Sequence, residues 1–153
     1  MEQELFGHRG SKTEIETGDR FQPKFDEQGL IACIVTDADS GDVLMLGYMN
    51  KKSLARSIET GEAWYWSRSR QEYWHKGATS GQVQSIVEMR TDCDQDAILL
   101  KVKVAGNGAT CHVGYRSCFH RKVLAQTKAA SPLQLERTET QRVYDPEDVY
   151  GKS

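Results

Sequence analysis

No apolar run in this chain approaches the roughly 20 residues needed to span a bilayer; GLIACIV, residues 29–35, is strand-sized. The amino terminus, MEQELFGHRGSKTE, lacks the apolar stretch of a secretory signal, which makes the cytosol the expected location. An excess of one charge sign is missing too. Basic side chains number 20 and acidic ones 22, a formal net charge of −2 that gives no electrostatic footprint for nucleic acid or an anionic membrane. The Gly-rich dinucleotide and P-loop fingerprints are both absent, and GNG at 106–108 is an isolated turn. There is no strand–helix–strand alternation, no internal repeat and no low-complexity tract. No Cys-x-x-Cys pair, the usual sign of structural zinc, occurs either.

What is there suits one domain: 153 residues, 38% hydrophobic and 27% charged, enough for a sizeable core. Residues 1–25 are polar, carry Gly7, Gly10 and Gly18, and read as a loosely held arm. LIACIVT (30–36) and VLMLGYM (43–49) flank the turn-forming DADSGD and predict a hairpin. Asn50 is a fitting cap for a helix over 51–60, with Leu54 and Ile58 on one stripe and Gly61 to end it. A strand at 63–68, a Gly-bearing loop at 74–82, and strands at 83–90, 97–104, 112–116 and 119–124 follow. The last 28 residues are polar, hold Pro132 and Pro146, and read as a tail with room for one short helix or a partner-docking arm. The expected architecture is α+β, mainly antiparallel sheet with one firm helix, divided into arm (1–25), catalytic domain (26–124) and tail (125–153).

Two kinds of metal chemistry are written into one short stretch. Asp92-Cys93-Asp94-Gln95-Asp96 supplies hard carboxylates suited to Mg²⁺ or Ca²⁺, while Cys93, Cys111 and Cys118 supply thiolates that select Zn²⁺ and other soft ions. An EF-hand is excluded, because Ala97 and Lys103 stand where that loop needs Gly and Glu. In an extended strand alternate residues lie about 6.6 Å apart, so three carboxylates on one ion require a bulge or a loop. An extended strand would instead point Cys93 away from the aspartates, separating a zinc face from a magnesium face. The Cys-x17-Cys-x6-Cys spacing fits no common finger, and three thiols plus water would leave an open, catalytic position. Cys33, inside IACIV, reads as core.

AWYWSRSRQ, if extended, places Trp64, Trp66, Arg68 and Arg70 on one face. Guanidinium forks beside aromatic rings suit a phosphorylated, ring-bearing ligand. Lys76, Gly77, Thr79, Ser80 and Gly81 form a second candidate anion loop. His112, next to Cys111, and His75, in the Gly-bearing loop, are candidate bases; His8 and His120 carry no such signal.

In order, GYMN (47–50), ETGEAWYWSRSR (59–70), WHKGATSG (74–81), DCDQDA (92–97) and GATCHVGYRSCF (108–119) closely resemble the phosphoribosyl-AMP cyclohydrolases of histidine biosynthesis. Tyr73 and Ala78 depart from the family, which commonly has Leu and Glu there. The resemblance implies hydrolysis of the N1–C6 bond of the purine ring in 1-(5-phosphoribosyl)-AMP, with Zn²⁺ and Mg²⁺, by an intertwined homodimer. It further implies Mg²⁺ at Asp92, Asp94 and Asp96, and Zn²⁺ at Cys111 and Cys118 with Cys93 from the other subunit. The short polar tail implies the form without a fused pyrophosphohydrolase domain. Alkylation at N1 leaves C6 electron-poor and open to metal-activated hydroxide. A Zn(Cys)₃ unit carries a formal charge of −1 and acidifies water less than three imidazoles would, so a general base is expected, His112 before His75. Arg68, Arg70 and Lys76, with Thr79 and Ser80, would hold phosphoryl groups.

Two other classes stay open on spacing alone. A zinc nucleobase deaminase would need H-x-E followed by P-C-x-x-C, and the chain has His112-Val113-Gly114 and no such pair. A zinc-stapled interaction module would saturate all four ligand positions and unfold on chelation.

Overall fold

The computed structural model describes residues 5–124, 132–139 and 142–150. Ser11, whose hydroxyl accepts from the Glu14 N–H, caps a short helix, α1 (Lys12–Thr17). The apolar runs on either side of DADSGD form β1 (Leu30–Asp37) and β2 (Val43–Asn50), antiparallel with Ile34 opposite Leu46. In the turn between them the Asp37 carboxylate accepts from the Ser40 and Asp39 N–H groups, which holds its pKa below the usual carboxylate value.

Helix α2 (Lys51–Thr60) starts where expected, for a clear reason. The Asn50 side chain accepts from the Ser53 N–H at 2.9 Å while the Ser53 hydroxyl accepts from the Asn50 N–H, also at 2.9 Å. Gly61 ends it in the left-handed region, φ 73°, with its N–H on the Ser57 carbonyl.

The remaining strands are β3 (Trp64–Ser67), β4 (Glu72–His75), β5 (Gln84–Thr91), β6 (Ala97–Val104), β7 (Arg121–Val123) and β8 (Leu135–Arg137), with α3 (Pro146–Tyr150) after them. A four-stranded sheet runs β2-β1-β6-β5; the β3-β4 hairpin and an antiparallel pair, β7 with β8, complete the described strands. The α+β class holds, with one amendment: β1 and β6 are parallel, Ala32 opposite Ala97 and Val35 opposite Leu100, so the main sheet is mixed.

Three expected elements differ. The strand read at 63–68 ends at Ser67; residues 68–71 turn, with Gln71 at φ 52°, and the chain returns as β4 through residues read as the start of a loop. Arg68 and Arg70 therefore sit in a turn and not on a strand face. Residues 112–116 form a tight turn instead of a strand, closed by hydrogen bonds from Cys111 N–H to the Tyr115 carbonyl and from Gly114 N–H to the Cys111 carbonyl. The amino-terminal segment is docked: Phe6 is 6% exposed and packs edge-on against Phe21, 5.6 Å between ring centres. Of the tail, residues 125–131, 140–141 and 151–153 lie outside the described residues; the short helix allowed for there is α3.

One face of the sheet is core. Ile31, Cys33 and Val35 of β1, Met49 of β2, and Ile98, Leu100 and Val102 of β6 pack beneath α2 (Leu54, Ala55) and the β3-β4 hairpin (Tyr65, Trp74). Cys33 is fully buried there, and burial pushes its thiol pKa up, as fits a core residue. The opposite face carries Ala32 and Ile34, Leu46 and Tyr48, and Ala97 and Leu99 at alternating positions, with Ile34 38% and Leu46 47% exposed. Toward β2 that face is apolar, toward β5 it carries Lys101, Glu88 and Arg90, and Ile34 and Leu46 stay exposed among the described residues.

Gly47 permits the hairpin to close on the sheet. A Cβ there would lie 2.8 Å from Cδ1 of Tyr65, whose ring is fully buried and whose hydroxyl donates to Gln84 Oε1 at 2.6 Å. Gly47→Ala forces the buried ring to shift and is expected to cost about 1–3 kcal/mol, read as a lower urea midpoint with unchanged m-value. Wild-type stability in that variant would show that the contact is slack.

Candidate active site

The β3-β4 turn, the loop after β4 and the 110–118 segment border a hollow of about 1490 Å³. Arg68 and Arg70 stand exposed on one side. The Arg68 guanidinium lies over the Tyr48 ring at 3.9 Å, and Arg70 Nε reaches Glu72 Oε1 at 3.5 Å. Trp66 and Tyr73 meet edge to face at 5.1 Å, and Asn50 Nδ2 donates to the Tyr73 hydroxyl at 3.4 Å. The Tyr at this position thus has a defined place on the wall.

Thr79 and Ser80 lie on the loop opposite, with Ala78 exposed beside them. The loop depends on Gly77: its φ is 90°, and a Cβ would sit 2.2 Å from the Val83 nitrogen. Lys76 points inward. It is 6% exposed, donates to the Thr110 carbonyl at 2.6 Å and lies 4.9 Å over the Trp74 ring. Burial pulls its pKa down, and the Cys118 and Cys111 thiols nearby oppose that pull.

His75 Nε2 meets Glu62 Oε1 at 2.9 Å, and its ring stacks on Trp64 at 4.2 Å between centres. Glu62 is a partner that nothing in the sequence signalled. His112 is exposed at the rim, its carbonyl accepting from the Tyr144 hydroxyl at 3.3 Å.

The turn at 112–116 is what unites the thiols. It doubles the chain back so that the Cys118 and Cys111 side chains hydrogen-bond, while Cys118 N–H donates to the Leu44 carbonyl at 2.7 Å. The hydrogen bond from Cys118 pulls the Cys111 thiol down to about 5, and the same contact with burial pushes Cys118 up. Two soft donors sharing one proton fit a thiophilic ion. His120, stacked on Tyr115 at 4.0 Å with Nδ1 against the Ser117 carbonyl, is structural.

The acidic segment is not extended, which corrects the alternation of zinc and magnesium faces. Residues 92–96 form the turn between β5 and β6, with Gln95 at φ 59° and Asp92 Oδ1 accepting from the Asp96 and Ala97 N–H groups at 3.0 and 3.1 Å. This is the loop that three carboxylates on one ion require. Asp92, Asp94 and Asp96 each bring an oxygen within 4.8 Å of the others, the one group of three or more such donors among the described residues. Repulsion expresses itself in their acidity: hydrogen bonds with Asp94 and Asp92, and their charges, push Asp96 up to about 6, while Asp94 is held low. A divalent cation would relieve that crowding, so the donor set fits one.

Cys93, exposed in this turn, borders a different hollow with Phe21, Ile58 and Met89. The turn precedes Ala97, which pairs with Ala32 at the beginning of β1, whereas Cys118 is tied to Leu44, beside the end of β1. Cys93 and the thiol pair thus occupy opposite ends of the sheet.

Comparison with known proteins decides the family. Residues 45–120 match the family model described as phosphoribosyl-AMP cyclohydrolase. The chain is 52% identical over 140 residues to the phosphoribosyl-AMP cyclohydrolase of Nitrobacter winogradskyi, covering 92% of this chain and 94% of that one. It is 53% identical over 139 residues to that of Bradyrhizobium diazoefficiens (91% and 96% covered) and 52% over 141 to that of Rhizobium etli (92% of each). The chain belongs to the phosphoribosyl-AMP cyclohydrolase family. The match at 45–120 spans the thiol pair, the acidic turn and the hollow's arginines, and leaves the docked amino-terminal segment outside it.

The acidity of Asp96 gives a signed expectation. Its folded value lies above the 3.8 of a free carboxyl, so the stability it contributes is present below 3.8 and lost as pH rises through about 6. Asp96→Asn keeps a donor to Asp94 and removes a charge. In metal-free protein it should raise Tm at pH 7 and leave it unchanged near pH 3.5, by calorimetry in chelator. A lower Tm at pH 7 would contradict the repulsion.

Proposed function

We propose that this chain hydrolyses the N1–C6 bond of 1-(5-phosphoribosyl)-AMP, opening the purine ring to a formimino-aminoimidazole carboxamide ribotide, a step of L-histidine biosynthesis in the cytosol. The observation that carries the reading is the hollow itself: Cys118, hydrogen-bonded to Cys111 behind it, borders one space with His75, His112 and two exposed arginines, in a chain half identical to named cyclohydrolases. The Arg68 and Arg70 guanidiniums and the Thr79 and Ser80 hydroxyls border the same hollow and would hold the phosphates of the ligand. Trp66 and Tyr73 offer faces and edges to the ring between them.

Cys111 and Cys118 would hold zinc with Cys93 of a second copy, and Asp92, Asp94 and Asp96 would hold magnesium. Bound there, zinc would supply acidification of a water molecule and magnesium would neutralise phosphoryl charge. His112 takes the proton from the attacking water, whose oxygen becomes the carboxamide oxygen, and N1 leaves as the amidine nitrogen, protonated in turn. His75, fixed by Glu62 and Trp64, orients the ring. Lys76, enclosed and donating to the Thr110 carbonyl, would stand beside the thiol pair, not at a phosphate on the rim.

The homodimer is part of the proposal. Within one chain Cys93 cannot join Cys111 and Cys118, and the uncovered apolar face of Ile34, Leu46 and Leu99 gives a second copy somewhere to pack. Light scattering should return twice the mass of the 153-residue chain.

The direct test is purified protein with phosphoribosyl-AMP, following the ultraviolet change on ring opening with and without chelator. No change with either metal supplied sinks the assignment. Cys111→Ala should lose bound zinc, measured by a chromogenic chelator, together with turnover. His112→Ala should keep zinc and lower kcat by about 10²-fold or more; an unaltered kcat across pH removes it as the base.

A further inference from the structure

The segment before β1 lies outside the matched family region, yet its polar contacts converge on one place. Gln95, 3% exposed, sits in the middle of the acidic turn with its side chain turned away from the carboxylates. Its Oε1 accepts from the Gln22 N–H at 2.6 Å, and its Nε2 donates to the Ile15 carbonyl at 2.9 Å and the Arg20 carbonyl at 3.3 Å. Its own carbonyl accepts from the Lys24 N–H at 2.7 Å. Arg9 adds a second tie, donating from one guanidinium nitrogen to the Asp94 carbonyl at 3.1 Å and the Gln22 carbonyl at 2.9 Å. Phe6, Phe21 and Phe25 anchor the same segment on the core.

Gln95 is held at φ 59°, a conformation that costs a non-glycine residue free energy. Two flanking hydrogen bonds within the turn, to Asp92 Oδ1, do not involve Gln95 at all. What the left-handed backbone achieves is to aim the Gln95 side chain at the segment and leave the three carboxylates on the outside, gathered within 4.8 Å.

We propose that Gln95 and Arg9 are positioning residues that lock residues 6–24 onto the carboxylate turn, so that docking of this segment and binding of a divalent cation at Asp92, Asp94 and Asp96 are thermodynamically coupled. The inference rests on the cation reading of that turn. Undocking releases the Asp94 carbonyl and the Gln95 side chain, Gln95 loses the ties that hold its left-handed conformation, and the carboxylates are freer to spread under their own repulsion. By reciprocity, a cation that gathers them must tighten the segment by the same factor.

The test uses the full chain. Free Mn²⁺, standing in for Mg²⁺, is counted by electron paramagnetic resonance, and hydrogen exchange across residues 15–24 is followed by mass spectrometry with and without Mg²⁺. Gln95→Asn keeps a residue that tolerates positive φ but is too short to reach the segment; Arg9→Ala removes the second tie from an exposed position. Wild type should take up Mn²⁺, and Mg²⁺ should slow exchange at 15–24. Both variants should bind Mn²⁺ about 5-fold or more weakly and lose the Mg²⁺-dependent slowing. A purely structural role would lower Tm and leave Mn²⁺ affinity as it is. If Asp96→Asn abolishes Mn²⁺ uptake while Gln95→Asn and Arg9→Ala bind as wild type does, the coupling is overturned and the cation site stands. If wild type takes up none, or Asp96→Asn binds equally well, the cation reading is overturned and the coupling falls with it.

Discussion

The parallel pairing of β1 with β6 is the constraint on which the rest of this molecule hangs. Register Ala32 to Ala97 places the acidic turn beside the start of β1, where the segment before that strand can reach it through Lys24 and Gln95. The antiparallel return of β2 sets Val43 and Leu44 at the other end, where their carbonyls hold Ser117 and Cys118. Within one chain the carboxylate turn, Cys93 included, is thereby kept at the opposite end of the sheet from Cys111 and Cys118.

Both donor sets are electrostatically incomplete in the same sense. The carboxylates hold a proton on Asp96 up to about pH 6 because its protonated form hydrogen-bonds to Asp94 and Asp92, whose charges add to the effect. Between the thiols, the hydrogen bond from Cys118 pulls the Cys111 pKa down to about 5, and the same contact with burial pushes Cys118 up. In each case hydrogen bonding to a neighbour substitutes for a missing positive charge. Lys76 cannot supply it to the thiols in full, since its ammonium is committed to the Thr110 carbonyl and burial disfavours its charge.

How much of this was legible follows from whether the cause is local. The hairpin, α2 and its two caps could be read because DADSGD, Asn50 and Gly61 each solve a backbone problem within a few residues. The acidic turn, left between the strands read at 83–90 and 97–104, has no glycine; its left-handed position falls on Gln95, whose side chain is held by residues more than 70 positions away, a contact with no local mark. The 112–116 turn was read as a strand for a similar reason. Gly114, at φ 104°, leaves room for the Tyr144 carbonyl, since a Cβ would lie 2.2 Å from it. The donor residues could be named from the sequence. Which donors meet depends on the β1–β6 register, and a parallel pairing across some 60 residues leaves no local mark.

The separation of Cys93 from Cys111 and Cys118 bears on the zinc reading more than any distance within the hollow. Two thiols alone leave a zinc site short of the three protein ligands usual for catalysis, and the chain's remaining candidate is tied to the far end of its own sheet by Gln95 and the ladder of β5 with β6. Bringing Cys93 across within one chain would require breaking that ladder, whereas a second copy supplies it with the fold intact. The face such a copy could cover is already apolar, with Ile34 and Leu46 left exposed on strands whose other side is core. On the proposed reading, then, dimerisation and zinc binding are one requirement seen twice: the sheet hides its second face, and the site acquires its third thiol, through the same association.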